Sequence, residues 1–208
     1  MRILGISGSL RRESNNSKLL LAAAGLLPPG AELVAFERLK EIPPYDENDE
    51  ATDHEAVVAL REAIEQADAV LIATPEYNHS LPGHLKNALD WMSRPLATSP
   101  LRGKPTAVIG GSTGMFGAVW AQAEARKVLA AIGARVVDRE LAVPSVDEQL
   151  AEGEPRLTED ELERELAELI ATLAISAAPG SDRRRSSPRF SQCSAPLPSP
   201  LSSSHPAA

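Results

Sequence analysis

Cysteine is nearly absent from this chain of 208 residues, whose single cysteine is Cys193. One cysteine cannot form an internal disulfide, and it has no partner for a paired-cysteine redox or metal motif. The chain also lacks any run of about eighteen apolar residues, and its opening MRILGIS leads into strand-like sequence without the regions of a secretion signal. These absences predict a cytoplasmic protein with no membrane segment and no metal site.

Positive charge is in short supply, since 21 basic residues face 29 acidic ones and give a formal charge of −8. Such a balance opposes attraction to phosphate polymers and to anionic lipid surfaces, so neither nucleic acid nor a membrane is expected as a partner. The apolar fraction is 43%. A chain of this length and composition can build one α/β domain, and it is too short for two.

Apolar residues become scarce from Ser176 onward. The last 33 residues contain ten serines and six prolines. A segment of this composition has too little apolar surface to offset the entropy of ordering. The sequence therefore predicts an ordered domain over residues 1–175 and a disordered Ser/Pro-rich tail over 176–208.

Short apolar runs alternate with helical patterns through residues 1–175. The five runs typical of buried parallel strands are Ile3–Ile6, Leu33–Phe36, Ala69–Ala73, Thr106–Ile109 and Arg135–Val137. The helical stretches are Ser17–Leu27, Asp53–Gln66, Pro82–Ser93, Ala118–Ile132 and Glu159–Ile175, the last preceded by a capping-box pattern of Thr158 and Glu161. This alternation predicts a doubly wound α/β sheet with helices on both faces. Its ligand would lie at the carboxyl ends of the strands.

The loop after the first strand lacks both common nucleotide fingerprints. In GISGSLRRESNNSKLL, Gly5 and Gly8 have the wrong spacing for GxGxxG, and the GK[ST] ending of a P-loop is missing. The loop instead places hydroxyl and amide side chains around Arg11, just before a helix: Ser7, Ser9, Ser14, Asn15, Asn16 and Ser17. These groups can bind a phosphate monoester at the helix start. Alternatively, they only cap the helix and turn the chain.

Two further loops belong to the same predicted edge of the sheet. After the third strand, Pro75 is followed by the N–H groups of Glu76, Tyr77 and Asn78, which could face a planar heterocycle with an acceptor edge. After the fourth strand, the segment IGGSTGMFG contains four glycines, Gly110, Gly111, Gly114 and Gly117. They would allow a flat ligand to approach the backbone closely, or they form a flexible turn.

Three motifs together resemble the flavodoxin-like NADPH-dependent FMN reductase family, which includes quinone, azo-dye and chromate reductases. They are GSLRRESNNSKL, TPEYNHSLPGHLKNALDW and GKPTAVIGGSTG, within a match over about residues 1–175. The resemblance implies a flavodoxin-like five-stranded parallel sheet with strand order 2-1-3-4-5. It also implies FMN as cofactor and NAD(P)H as co-substrate, with hydride passing through flavin N5 to a quinone, flavin, azo compound or metal oxyanion.

The same resemblance assigns residues to the parts of FMN. Ser9, Arg11, Ser14, Asn16 and Ser17 would hold the phosphate, Pro75, Glu76, Tyr77 and Asn78 would lie along the flavin ring, and Gly111, Ser112 and Gly114 would flank it. No catalytic side chain is needed, since the flavin carries the hydride. Glu13 departs from the family pattern and would weaken phosphate binding unless it points to solvent or pairs with Arg12. The resemblance further implies a homodimer or homotetramer, with the region of helix 82–93 at the dimer contact.

Two other classes of protein stay open at this stage. A flavodoxin-like electron carrier would share the fold and FMN, but carriers usually sandwich the ring between aromatic residues. The aromatic residues in the relevant loops are only Tyr77, Phe116 and Trp120, which disfavours a carrier. The other alternative is a flavin-binding redox sensor that uses its arginine-serine tail to reach a partner.

Overall fold

A computed structural model describes residues 1–151 and 153–178 of the chain. Strands and helices alternate along this part of the chain. The strands are β1 (Arg2–Ser7), β2 (Glu32–Phe36), β3 (Ala69–Thr74), β4 (Pro105–Gly111), β5 (Arg135–Val136) and β6 (Ala142–Val143). The helices are α1 (Asn15–Gly25), α2 (Glu55–Gln66), α3 (Gly83–Met92), α4 (Val119–Ile132), α5 (Val146–Gln149) and α6 (Asp160–Ala177). Short 3₁₀ turns lie at Leu39–Glu41, Glu47–Asp49 and Leu96–Thr98.

All strand pairs are parallel, in the order β2-β1-β3-β4-β5, with β6 also paired to β4. The order reverses between β1 and β3, because the chain adds β2 on one side of β1 and then crosses to the other side. This is the predicted flavodoxin-like order, and it is confirmed. It places a crevice at the carboxyl ends of β1 and β3, where doubly wound sheets bind ligands.

Two apolar cores lie on opposite faces of the sheet. Alternate residues of β3 divide between them: Val70 and Ile72 pack with α2, α3 and α4, whereas Leu71 and Ala73 pack with α1 and α6. Every residue of β3 is buried. A strand covered on both faces has a continuous apolar sequence, which is why this run could be recognised.

The fifth predicted strand, residues 135–137, corresponds to β5, but the sheet also contains a short sixth strand, β6, that was not predicted. β5 ends at Val136, the chain leaves the sheet through three charged residues, and β6 returns to pair with β4 at Ala142. Arg126 on α4 binds two of these charged residues, with N–O distances of 2.7 Å to Asp138 and 3.1 Å to Glu140. Charged side chains are costly to bury inside a sheet, so this stretch runs over the surface instead.

The end of the domain differs from the sequence prediction in three respects. α5 was not predicted, because a helix of only four residues is too short to show a periodic apolar pattern. The predicted capping box before α6 is wrong, because the Thr158 hydroxyl bonds to Gln149 and Glu148, and Glu163 accepts a bond from the Leu157 N–H instead. α6 continues to Ala177, two residues into the predicted tail, and stops before Pro179 in the sequence, which disfavours a helix at the residue it follows.

From residue 179 onward, the predicted tail lies outside the described residues. Within the part that the structure describes, no helix combines the length and the apolar character needed to cross a membrane. The same part contains no cluster of acidic residues, histidines or cysteines arranged to hold a metal ion.

Candidate functional site

The loops after β1, β3 and β4 meet at one edge of the sheet. The strand register pairs Ser7 with Ala73 at the end of β1, and Thr74 with Gly110 near the end of β4. The Gly8 N–H also donates to the Ala73 carbonyl at 2.8 Å, which holds the first loop beside the third. The three segments singled out in the sequence are therefore neighbours in the fold.

The first loop gathers free backbone donors at the start of α1. In the described part of the chain, the N–H groups of Arg12, Glu13, Asn15 and Ser17 have no hydrogen-bond partner. The first turn of α1 contains no acidic residue. Unpaired N–H groups and the positive end of the helix dipole together favour an anion at this position.

Ser14 takes the alternative role considered for this loop, that of a helix cap. It is buried, and its Oγ accepts a bond of 3.2 Å from the Asn16 N–H, which makes it the N-cap of α1. The hydroxyl proton is not used in this bond. Ser14 can therefore fix the helix start and still donate to an anion.

The Asn16 side chain connects the first loop to the end of β4. Its side chain is buried, with Nδ2 donating to the Gly111 carbonyl at 3.0 Å and Oδ1 accepting from the Gly111 N–H at 3.1 Å. These two bonds tie the start of α1 to the end of β4. The amide therefore supports the loop, and its predicted contact with phosphate stays a prediction.

The remaining members of the predicted phosphate group are more accessible. Ser9 is half-buried, and its Oγ accepts from the Arg11 N–H at 3.4 Å. Ser17 donates to Ser7 through their hydroxyl groups at 3.0 Å. The Arg11 guanidinium is exposed, and its contact in the described residues is with the Glu13 backbone carbonyl at 3.3 Å. The Glu13 side chain is exposed and forms no ion pair with Arg12, so solvent accommodates its charge.

The loop after β3 forms a tight hairpin, defined here as the β3 hairpin, residues 76–80. Tyr77 and Ser80 exchange backbone bonds of 3.0 and 3.2 Å, and the two residues between them, Asn78 and His79, have φ of 53° and 59°. This is the geometry of a type I′ turn. The prediction that the Tyr77 N–H is free is therefore wrong, because this N–H donates to the Ser80 carbonyl. The N–H groups of Glu76 and Asn78 have no partner in the described residues.

The Glu76 carboxylate caps α4, a helix that is distant from it in sequence. Its Oε2 accepts from the N–H groups of Trp120 at 3.0 Å and Ala121 at 3.2 Å, at the start of α4. Pro75, which precedes it, is buried. The hairpin is therefore fixed at its first residue to the helix that follows β4.

Most glycines in the loop after β4 are needed for contacts within the protein. A Cβ on Gly111 would lie 2.6 Å from Val146 Cγ2, and one on Gly117 would lie 2.5 Å from the Ala142 carbonyl carbon. Gly117 also has a φ of +57°. Neither the predicted approach to a ligand nor a flexible turn explains these two positions. Gly114 is exposed, and a Cβ there would make only an ordinary contact with Ser112 Oγ at 3.5 Å. Its N–H donates to the same oxygen at 3.1 Å. That Ser112 and Gly114 flank a flavin ring stays a prediction.

Four large apolar side chains are exposed on the β3 hairpin, on the loop after β4 and at the start of α4. Their exposed fractions are 51% for Tyr77, 76% for Met115, 57% for Phe116 and 41% for Trp120. The Trp120 ring contacts Phe116 and His79 edge to face, with centroid distances of 5.0 and 4.7 Å. We call Tyr77, Met115, Phe116 and Trp120 the aromatic patch.

Sequence reasoning missed two polar residues that support the site. One is the Glu76 carboxylate, and the other is Gln122, a fully buried residue whose Nε2 donates to the Gly117 carbonyl at 3.3 Å and whose Oε1 accepts from the Leu141 N–H at 3.2 Å. Gln122 lies on the buried stripe of α4 with Ala121, Ala125 and Leu129. A polar residue within an apolar helix stripe was the available signal, because buried amides are retained where the backbone needs partners.

Comparisons with known proteins agree with this geometry. A family model described as NADPH-dependent FMN reductase matches residues 1–148. An NAD(P)H-dependent FMN reductase of Pseudomonas aeruginosa is 39% identical over 176 residues, covering 84% of this chain and 94% of that protein. A quinone reductase of Escherichia coli K12 is 38% identical over 141 residues, or 67% of this chain and 74% of that protein.

Among solved structures, FerB of Paracoccus denitrificans is described as a flavoenzyme NAD(P)H:(acceptor) oxidoreductase. It superimposes on this fold with a TM-score of 0.75 and 31% sequence identity, covering 85% of this chain and 96% of that chain. The likeness extends over nearly all of the residues that the structure describes.

Proposed function

This chain belongs to the NADPH-dependent FMN reductase family and is an FMN-dependent NAD(P)H oxidoreductase, and from that premise we propose which of its residues bind the cofactor and which acceptor it reduces. The resemblance found in the sequence motifs is thereby confirmed.

The free N–H groups at the start of α1 are the observation that supports the phosphate site best. A helix start without an acidic residue in its first turn offers backbone donors that are unpaired within the described residues, those of Arg12, Glu13, Asn15 and Ser17. A phosphate monoester would accept several of these bonds at once. Its remaining oxygens would be within the reach of the hydroxyl groups of Ser9, Ser14 and Ser17 and of the exposed Arg11 side chain.

The β3 hairpin and the β4 loop would bind the flavin ring. Glu76 and Asn78 each present an N–H beyond the end of β3 that has no partner in the part of the chain that the structure describes. Donors of this kind match the acceptor atoms along the pyrimidine edge of a flavin. Pro75 gives the backbone of the hairpin a fixed direction. Ser112 and Gly114 lie in the loop after the adjacent strand and would flank the ring.

Bound FMN would supply the hydride chemistry, accepting a hydride from NAD(P)H and passing it to an acceptor. The protein's contribution is to orient the ring and to place backbone donors where negative charge develops on it. The N–H groups of Glu76 and Asn78 would provide that stabilisation. No side-chain acid or base is required, and the exposed His79 lies outside this role.

We favour quinones as the acceptor class. Relatives at 38 to 44% identity are named quinone reductase or 2-hydroxy-1,4-benzoquinone reductase. The aromatic patch next to the site offers flat apolar surface that suits a planar ring. An electron carrier is less consistent with the structure, because the Phe116 and Trp120 rings contact each other edge to face, whereas a carrier would place aromatic rings on both sides of the flavin.

Anaerobic mixing tests this function. Purified protein supplied with FMN and NADPH, or NADH, is expected to lose the flavin absorbance promptly, and a benzoquinone added afterwards is expected to restore it. A steady-state series over quinones, flavins, azo compounds and chromate then ranks the acceptors. If NAD(P)H leaves the absorbance unchanged while one-electron donors produce a stable semiquinone, the protein is a carrier.

We further propose that two copies of the chain associate with helix α3, where the resemblance places the dimer contact, and the aromatic patch between them, so that the planar acceptor would bind beside this contact. Replacing Phe116 by glutamate should weaken the homodimer roughly 30-fold or more, because a charge at the centre of an apolar contact removes a dominant interaction. Light scattering during gel filtration over a dilution series measures this. Ile175→Glu, which changes another exposed apolar residue far from the patch, should leave the dimer intact. A wild-type monomer at all concentrations would contradict the proposal.

The location and the domain division are also proposals. We place the protein in the cytoplasm, where NAD(P)H is available as reductant. We assign the reductase activity to residues 1–175, because the family match and the three loops of the site all lie within them.

A further inference from the structure

Helix α4 receives its N-terminal cap from a distant loop. Its own N-cap residue, Ala118, has a φ of 65° and offers no side-chain acceptor, and the first turn contains no acidic residue. The N–H groups of Trp120 and Ala121 instead donate to Glu76, which lies 44 and 45 residues earlier in the chain. The four N–H groups at a helix start need such partners, and a carboxylate there is further stabilised by the helix dipole.

The Glu76 carboxylate is well enclosed for a charged group. Its side chain is 12% exposed, and besides the two N–H donors it has His79 Nδ1 at 3.6 Å from its other oxygen. The carboxylate therefore takes up the space at the start of α4 that a bound anion would otherwise occupy. The start of α1, by contrast, has N–H groups without a partner among the described residues.

Two further contacts hold the β3 hairpin on the same helix. The Ser80 hydroxyl donates to the Glu124 carboxylate one turn further along α4. The His79 ring lies edge-on against Trp120 at a centroid distance of 4.7 Å. The hairpin is thus attached to α4 at its first residue, at its tip and at its last residue.

We propose that Glu76 is a positioning residue for flavin binding: by capping α4 it fixes the β3 hairpin in the conformation that directs the N–H groups of Glu76 and Asn78 toward the ring. The Glu76 carboxylate also prevents a phosphate from binding at the start of α4, which leaves the start of α1 as the phosphate site. This inference rests on the proposed flavin site. It concerns a side chain that does not itself touch the cofactor.

Substitution of Glu76 tests the inference through flavin affinity. Glu76→Ala should raise the Kd for FMN about tenfold, as expected for the loss of a helix-capping interaction. Glu76→Gln retains an acceptor oxygen without the charge, and its Kd should lie between those of the alanine variant and wild type. Fluorescence titration of the apoprotein measures all three. Excess acetate should restore much of the affinity of Glu76→Ala, because it can occupy the vacated carboxylate position.

Glu163→Ala provides a matched control. Glu163 also accepts a backbone bond, from the Leu157 N–H at 2.9 Å, but at the start of α6. This variant should lose thermal stability and keep the wild-type Kd for FMN. Equal FMN affinity of Glu76→Ala and wild type would overturn the positioning role. So would a loss of FMN affinity in Glu163→Ala that matches its loss of stability in the same way as in Glu76→Ala. If wild type itself fails to bind FMN, the proposed site fails first, and the two results are distinguishable.

Discussion

Replacement of Ser17 by aspartate should nearly abolish FMN binding while leaving the protein folded. The new carboxylate would stand in the first turn of α1, beside the free N–H groups that we assign to the phosphate. Repulsion between the two anions in a partly buried position should raise the Kd roughly 100-fold or more. Fluorescence or calorimetric titration of the apoprotein with FMN measures the change.

The structure predicts that this loss of binding is separate from stability. Acidic residues are favourable in the first turn of a helix, so Ser17→Asp should unfold at the same temperature as wild type or higher. Ser17→Ala loses only the hydroxyl that bonds to Ser7 and should bind FMN within about tenfold of wild type. Wild-type affinity in Ser17→Asp would place the phosphate elsewhere.

Replacement of Gly117 by alanine should destabilise the protein by about 3 kcal/mol or more. The added Cβ would lie 2.5 Å from the Ala142 carbonyl carbon and 2.6 Å from the Val143 nitrogen, and backbone atoms cannot move aside as a flexible side chain can. The positive φ of 57° adds strain for any residue other than glycine. Chemical denaturation of the apoprotein gives the free energy of unfolding directly.

Gly114 in the same loop is the matched control. A Cβ there has Ser112 Oγ as its nearest neighbour at 3.5 Å, an ordinary contact. Gly114→Ala should therefore change the free energy of unfolding by about 0.5 kcal/mol or less. Equal losses in the two variants would mean that the loop is not packed against β6 as described.

The sequence predicted the fold well where local patterns determine it. A strand such as β3, buried on both faces, must be apolar throughout, and the loop of hydroxyl and amide residues after β1 could be read as an anion site from its position before a helix. The alternation of strands and helices predicted parallel pairing, and the strand order followed from the family resemblance. The edge of the sheet was less predictable, because β5 and β6 are strands of only two residues each, separated by charged residues, and so short a strand as β6 has no distinct apolar run.

The roles of individual site residues were harder to predict, because they depend on contacts between distant parts of the chain. Asn16 looks like a phosphate ligand in sequence, but the fold brings it to Gly111, 95 residues away. Gly117 looks like a ligand-facing glycine, but β6 passes directly over it. The capping of α4 by Glu76 is of the same kind, since nothing near Trp120 in sequence indicates where the acceptor comes from.

A comparison of FMN with riboflavin tests the central claim most directly, because the two ligands differ only in the phosphate. If the start of α1 binds that phosphate, calorimetry should show the apoprotein binding FMN at least about 100-fold more tightly than riboflavin, since several charge-assisted hydrogen bonds are lost with the phosphate. The difference should shrink in Ser17→Asp. Equal affinities of wild type for the two flavins would contradict the account.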